Sequence, residues 1–428
     1  VTCEPVEHGL IAALLAFFTP GPGASHGTRV AILLTGQALA GVGAAAIFPT
    51  SVAMLAAGTH TVRARSHAIS VWAAALTGAG FVSLVVGGLL ARIGHSEGPY
   101  ASWRWAFLAL AVFATVSMVV TLAAAADSSA KIGRSLDWPG QITVAVGVFA
   151  LLFGVIHGTS AGYVIGMFAY LGTAYATSIR LAAIQGYLPL MTSIGFVCLN
   201  VMGVVLFPVS SRMIERFNPG WVLAAGMACI AAGDLTLSAI RATNLSIAAV
   251  AVPLLVVGIG FKLALTLITV VAVNSVPTAK AGMASGATSM LRDFGLTLGP
   301  AVVGAIALTQ AAHEVAAKVA ASPRLGAALA AFNAAPAHAP AAQRPQLEAA
   351  VSAVNSGPLG ANSVPATITL PNGHVQPFNP LKDVAFHALS SAYSVGYLVC
   401  GLAALAAALI AAIALGGRRH HSAFLETD

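Results

Sequence analysis

The sequence predicts an all-α, polytopic helical membrane protein, and three observations carry that prediction. There are 20 Lys and Arg and 13 Asp and Glu, so charged side chains make up 8% of the 428 residues, whereas a soluble chain carries about 25%. Hydrophobic residues make up 58% and the mean hydropathy is +0.88, too apolar for a wettable surface. Apolar runs recur that are long enough to cross a hydrocarbon core of ~30 Å at about 1.5 Å per helical residue. An ordinary soluble enzyme, a disordered chain, a collagen-like repeat and a disulfide scaffold are excluded together. The formal net charge of +7 would suggest nucleic acid in a soluble protein. Here the bases stand singly between apolar runs rather than on one face, so the expected partner is the lipid bilayer and no nucleic acid.

Spanning helices are expected near 29–55, 69–91, 104–126, 139–158, 163–185, 191–210, 221–240, 246–274, 283–309 and 390–415. An apolar segment at 8–18 is too short to cross and has no basic region before it, so it does not read as a signal peptide. Trp72, Trp103, Trp105, Trp138 and Trp221 fall at the ends of these runs, where an amphipathic indole favours the headgroup layer. The expected organisation is an N-terminal helical bundle at 1–126, a linker helix region at 127–162 and a C-terminal helical bundle at 163–309. An extracytoplasmic Ala/Pro-rich loop at 310–389 follows, with short helices near 311–333 and 343–354, and then the last spanning helix and tail at 390–428.

Orientation follows from the loop bases. One alternate set of connections carries Arg63, Arg65, Lys131, Arg134, Arg212, Arg216, Lys280, Arg418 and Arg419, and the other carries only Arg29, Arg92, Arg104 and Arg241. The first set is expected on the cytoplasmic side of the plasma membrane, and with it the C-terminus. The pattern conflicts with itself once. Cytoplasmic loops at 131–138 and 211–219 make both 139–158 and 163–185 run outward, yet only Gly158 to Gly162 separate them.

Metal, cofactor and enzyme chemistry find no support. Cys3, Cys198, Cys229 and Cys400 lie far apart, three of them in apolar runs where a thiol acts as a small hydrophobe. The twelve histidines form no metal-ligand spacing, and no short motif assembles a nucleophile, a base and an orienter.

Ionisable groups inside spans cost roughly 2.5–3.5 kcal/mol each, so each is a functional candidate. The spans hold Arg180, Asp234, Lys262, Arg292 and Asp293. Depth at about 1.5 Å per residue puts Lys262 level with Asp293, so these two could neutralise each other, with Arg292, as a structural network or serve substrate or proton. Asp234, without a level partner, is the best candidate for a protonatable carboxylate, the bland alternative being a neutral acid near the interface. Gln37 could line a path or bond another helix, and Arg180 is expected to snorkel beside Gln185. Gly41, Gly43, Gly87, Gly88, Gly282, Gly286, Gly295 and Gly299, with Gly78 and Gly80, offer small faces for close helix packing.

Several of these stretches resemble one family in order and spacing. The run Gln37-Ala-Leu-Ala-Gly41-Val-Gly43-Ala-Ala45 resembles the fourth helix of 14-span drug/proton antiporters of the major facilitator superfamily. Ser102-Trp-Arg-Trp105-Ala-Phe107 resembles their entry into the sixth helix and Leu136-Asp-Trp-Pro-Gly140 into the seventh. Ser211-Arg-Met-Ile-Glu-Arg216-Phe-Asn-Pro-Gly220 resembles a short cytoplasmic loop of the second half. Ala281-Gly-Met-Ala-Ser-Gly286 with Arg292-Asp-Phe-Gly295 and Gly299 resembles the thirteenth helix. The departures are as specific. The family's first two helices have no counterpart, the fourth-helix arginine is Gln37, and the fifth-helix signature reads Ser83-Leu84-Val-Val-Gly87-Gly88 without its proline. An eighth helix and basic linker would fall where Gly158 to Gly162 stand, which accounts for the charge conflict.

The resemblance implies a two-bundle architecture with an incomplete N-terminal half. It implies proton-coupled efflux of small amphipathic organic molecules by alternating access, with Asp234 or Asp293 carrying protons and Gln37, Lys262 and Arg292 on the substrate path or in ion pairs. The other expectation open at this point is a transport-inactive remnant acting at most as a membrane interaction protein.

Overall fold

The computed structural model describes residues 26–59, 61–90, 102–124, 159–206, 217–274 and 281–416, apart from 242, 245, 342 and 370–374. The segments 8–18 and 139–158 and residues Cys3 and Trp138 lie outside them. Three helices come first, α1 (His26–Ala57), α2 (Val62–Leu90) and α3 (Ser102–Ala124). A second group follows, α4 (Thr159–Ser178), α5 (Pro189–Val205), α6 (Pro219–Ala239), α7 (Ile247–Asn274) and α8 (Ala281–Ala321). Then come α9 (Pro323–His338), α10 (Arg344–Asn355), α11 (Pro358–Ser363), a hairpin of β1 (Thr367–Thr369) and β2 (Val375–Pro377), and α12 (Lys382–Gly416). In the hairpin Ile368 pairs antiparallel with Gln376.

Among the described residues, six helices are long and apolar enough to cross a membrane, lying in α2, α3, α6, α7, α8 and α12. Their ends carry local signals. Gly186 takes φ +70°, a left-handed turn that favours glycine, and Pro189 then opens α5, where its missing N–H costs nothing. Asn218 caps α6 by accepting from the Gly220 amide at 2.9 Å, and Ser322 caps α9.

Helices α4, α5, α6, α7, α8 and α12 form one bundle. The main core joins Met167 and Tyr170 of α4 with Met227 and Ile230 of α6, Phe261 of α7 and Tyr397 of α12. The C-terminal end of α4 and that of α6 meet, since Gln185 donates to the Asn244 carbonyl at 3.0 Å, and α5 and α7 start from this same end. Helices α4 and α6 therefore run antiparallel to α5 and α7. The run 163–185 thus passes once through the bundle; the competing run, 139–158, is outside the described residues.

Against this bundle α2 packs on α5 and α7, and α1 packs on α8. A small cluster of Val52, Ala56, Ile69 and Val270 joins α1, α2 and α7. Helix α2 starts before the expected span, so Arg63 and Arg65 stand in its first turn and Trp72 lies three turns in. Instead of facing headgroups, Trp72 donates its indole N–H to Ser51 Oγ on α1 at 3.1 Å. Helix α3 contacts α2 alone among the elements it packs on, and Phe113, Val116, Val120 and Leu122 are exposed along it, an apolar face suited to lipid.

The expected loop at 310–389 is largely helical. Helix α8 runs on to Ala321, α12 begins at Lys382, and α9 to α11 with the hairpin form a cap between them. The cap has its own core of Phe332, Val354, Ala361, Val364, Leu381 and Ala385. Buried Asn379 holds it, donating to the carbonyls of Ala361 (2.7 Å) and Val364 (3.0 Å) and accepting from the Leu381 amide (2.9 Å). Replacing it by alanine should cost the cap about 2 kcal/mol and speed cleavage there by an added protease; an unchanged cleavage rate would refute this.

Candidate functional site

The most polar place in the bundle core lies where α4, α6 and α12 meet, near the capped end. Asp234 of α6 is fully buried, about 8 Å below the last turn of its helix at 1.5 Å per residue. The Thr173 hydroxyl of α4 lies 2.6 Å from Asp234 Oδ1 and 2.8 Å from the Ala169 carbonyl oxygen. Asp234 Oδ2 is buried with no hydrogen-bond partner among the described residues. One turn along α4, Thr177 shares a 2.9 Å hydrogen bond with the Tyr397 hydroxyl of α12. The i, i+4 spacing of the two threonines puts both on the face that α12 covers.

Helix α4 can bring these groups together because small residues let it approach its neighbours. A Cβ on Gly172 would lie 2.6 Å from Cys400 Sγ of α12, and one on Gly299 of α8 would lie 2.5 Å from the Phe168 carbonyl oxygen and 2.6 Å from the Gly172 nitrogen. Gly295 meets the Val164 carbonyl in the same way. On the other side of the bundle Gly226 and Gly260 bring the backbones of α6 and α7 into contact, and Gly88 of α2 faces Ser193 of α5. Of the other expected glycines, Gly43 is buried and Gly286 half-buried. A Cβ on Gly41 or Gly87 would meet nothing within 4 Å among the described residues. The surroundings of Gly282 are not among those described.

Just above the acid, helix α4 widens into a π turn over Ile179–Ile184, a local form that recurs at functional places in helices. It carries Arg180, which is 2% exposed and does not snorkel. Its two terminal nitrogens donate to the carbonyls of Ile240 (2.9 Å) and Arg241 (3.0 Å). These belong to the C-terminal end of α6, so the guanidinium satisfies carbonyls the helix cannot and sits at its negative end.

The other expected site residues fall elsewhere. Lys262 and Asp293 are level in depth but do not pair. Asp293 points out of the bundle, with 51% of its side chain exposed, and its Oδ1 accepts from Arg292 Nε at 2.9 Å. Lys262 is fully buried, and its amine has no hydrogen-bond partner among the described residues. Gln37 is exposed on α1. Sequence reasoning passed over Thr173, Thr177 and Tyr397. Their signal is a pair of threonines four apart in an apolar run, which is common and acquires meaning only once Asp234 is found beside them. Among the described residues no group of three or more His, Cys, Asp and Glu could hold a metal.

The chain has counterparts among known proteins. It is 27% identical over 325 residues to the multidrug resistance protein Stp of Mycobacterium tuberculosis, a match covering 65% of this chain and 59% of that one. It is 22% identical over 433 residues to the tetracenomycin C resistance and export protein of Streptomyces glaucescens, covering 89% of this chain and 74% of that one. The chain thus spans well under two thirds of the length of Stp. Among solved structures, a bacterial homologue of the human lysosomal transporter Spinster superposes with a TM-score of 0.55 at 15% identity, covering 98% of this chain and 85% of that one, a likeness of fold. The order of motifs and the bundle of six helices facing α1 and α2 thus meet in one description, the Major Facilitator Superfamily, whose family model matches residues 9–300, and the chain belongs to it.

Proposed function

We propose that this chain is a transporter that moves small amphipathic organic molecules out of the cell in exchange for protons, its two groups of helices alternating access to a central path. The observation that carries the coupling is the buried contact of Asp234 with Thr173. A threonine hydroxyl owns one hydrogen, yet here it has two oxygens within hydrogen-bond distance, at 2.6 and 2.8 Å. Both contacts are made at once when Asp234 is the neutral acid and donates its O–H to Thr173, which then donates to the Ala169 carbonyl. The arrangement suits a loaded proton carrier. Its place near the capped end fits loading from that side, with the C-terminus on the cytoplasmic side as the loop charges require. Relatives described as resistance and export proteins support an outward direction for the organic molecule.

The test uses inside-out vesicles with an imposed proton gradient and two dyes on a shared xanthene skeleton, cationic rhodamine 6G and anionic fluorescein. Accumulation of at least one dye that collapses with a protonophore is expected, and failure to accumulate either overturns the transport reading. Asp234→Asn, checked for equal folded protein by size-exclusion chromatography, should accumulate dye only to the level seen with protonophore. Gradient-dependent accumulation equal to wild type would remove Asp234 from the coupling role.

A further inference from the structure

We propose that Lys262 is the recognition group for an acidic function on the transported molecule, so that the chain favours organic anions over cations of the same skeleton. The inference rests on the transport reading above and names the substrate class for it.

The position of Lys262 along α7 is fixed by its neighbours in the same stripe. A Cβ on Gly258 would run into the Leu199 carbonyl of α5, whereas Val270 belongs to the cluster that holds Ile69 of α2. The residues 258, 262, 266 and 270 follow one another at i+4, a row that drifts slowly around a helix. Lys262 and Thr266 therefore stand between the α5 contact and the α2 contact, on the seam where the first group of helices meets the second. Depth agrees. Lys262 is one turn from Gly258, which makes it level with Gly203 of α5, and Gly78 of α2 packs on the neighbouring Val204.

This seam is polar without being satisfied. Lys262 Nζ, Thr266 Oγ1 and Ser70 Oγ are all buried and have no hydrogen-bond partner among the described residues. Ser70 adjoins Ile69, which shares a cluster with Val270. A lysine amine offers up to three donors and no acceptor, so what this position lacks is an anion or another strong acceptor. The described span carboxylates are engaged elsewhere, Asp234 with Thr173 and Asp293 with Arg292. A buried basic group left without a partner is costly, and an occupant of opposite charge removes that cost.

An aromatic pair lies at the same level of the bundle. Phe261, the preceding residue, stacks on Tyr170 of α4 with ring centroids 3.6 Å apart and planes 9° from parallel. The Tyr170 hydroxyl donates to Asn200 Oδ1 of α5 at 3.1 Å, and Asn200 also lies against Gly80 of α2. Movement of α2 away from α5 and α7 would open the amine, the amide and the ring pair to one space. A flat molecule carrying a carboxylate or a phenolate matches that set, with its acidic oxygen on Lys262 and its ring system beside Phe261 and Tyr170.

The experiment compares wild type, Lys262→Met and Lys262→Arg. Methionine fills similar volume without charge, and arginine keeps the charge. Gradient-driven accumulation of fluorescein and rhodamine 6G is measured in vesicles, and binding of each dye to the purified full chain in detergent is followed by fluorescence polarisation. Fluorescein transport and affinity should fall about tenfold or more in Lys262→Met, the loss of roughly one charge-assisted hydrogen bond. They should be largely kept in Lys262→Arg, while rhodamine 6G is unchanged or improved in both. Equal loss of both dyes, or none, in folded Lys262→Met overturns the proposal. If wild type accumulates neither dye, binding still decides: fluorescein preference lost in Lys262→Met upholds the acidic class while the transport reading fails, and absence of any such preference overturns both.

Discussion

Gly299→Val should lower the apparent melting temperature of the detergent-solubilised protein and reduce the monodisperse fraction in size-exclusion chromatography. The new Cβ would fall 2.5 Å from the Phe168 carbonyl oxygen and 2.6 Å from the Gly172 nitrogen, and both are backbone atoms that cannot change rotamer to make room. Helix α4 must then move off α8. Without a hydrophobic force between helices in lipid, that interface rests on van der Waals packing, and a gap of 0.5–1 Å forfeits a quarter to a half of each contact. Overpacking of this kind costs about 1–3 kcal/mol, occasionally more. Gly41→Val is the matched control, because a Cβ there meets nothing within 4 Å and its melting temperature should stay near wild type. Equal melting of the two variants would contradict the close contact.

Arg180→Met should destabilise at least as much by a different route. The side chain loses donors to the Ile240 and Arg241 carbonyls at 2.9 and 3.0 Å, each bond to a charged group being worth about 1.5–3 kcal/mol. The negative end of α6 also loses its neutralising charge. Hydrogen exchange should rise over residues 236–244, and the melting temperature should fall. Arg180→Lys should recover part of the loss, because an ammonium lacks the planar fork that spans two carbonyls. A melt identical to wild type in Arg180→Met would sink the capping role.

These two positions also mark what could be foreseen from the sequence. The helices were legible because an apolar run of span length has few alternatives. Arg180 was misjudged because its depth near a span end suits snorkelling, while its true acceptors are main-chain carbonyls about sixty residues further on, which leave no mark in side-chain chemistry. Lys262 and Asp293 were paired on depth, but depth says nothing about direction around a helix axis. Asp293 faces outward beside Arg292, whereas Lys262 lies on the seam toward α5 and α2. The glycines divide for a similar reason: Gly299 and Gly41 look alike in sequence, and only the neighbouring backbone distinguishes them. The short helices of the cap were foreseen near 311–333 and 343–354, since alanine favours helix, but the packing of its core around Phe332 and Asn379 left no periodic mark in the sequence.

The cap has a practical consequence for imaging. Around a bundle of membrane-length helices, a detergent micelle or lipid disc blurs the outline that particle alignment depends on. The cap is anchored to α8 and α12 at its ends and to α4 through the Asn362 side chain, which donates to the Ala183 carbonyl at 2.7 Å. It therefore turns with the six-helix bundle as one rigid feature outside the micelle. An antibody fragment raised against the exposed faces of α9 and α10 would report the orientation of that bundle directly, leaving movement of α1 and α2 to be measured against a fixed reference.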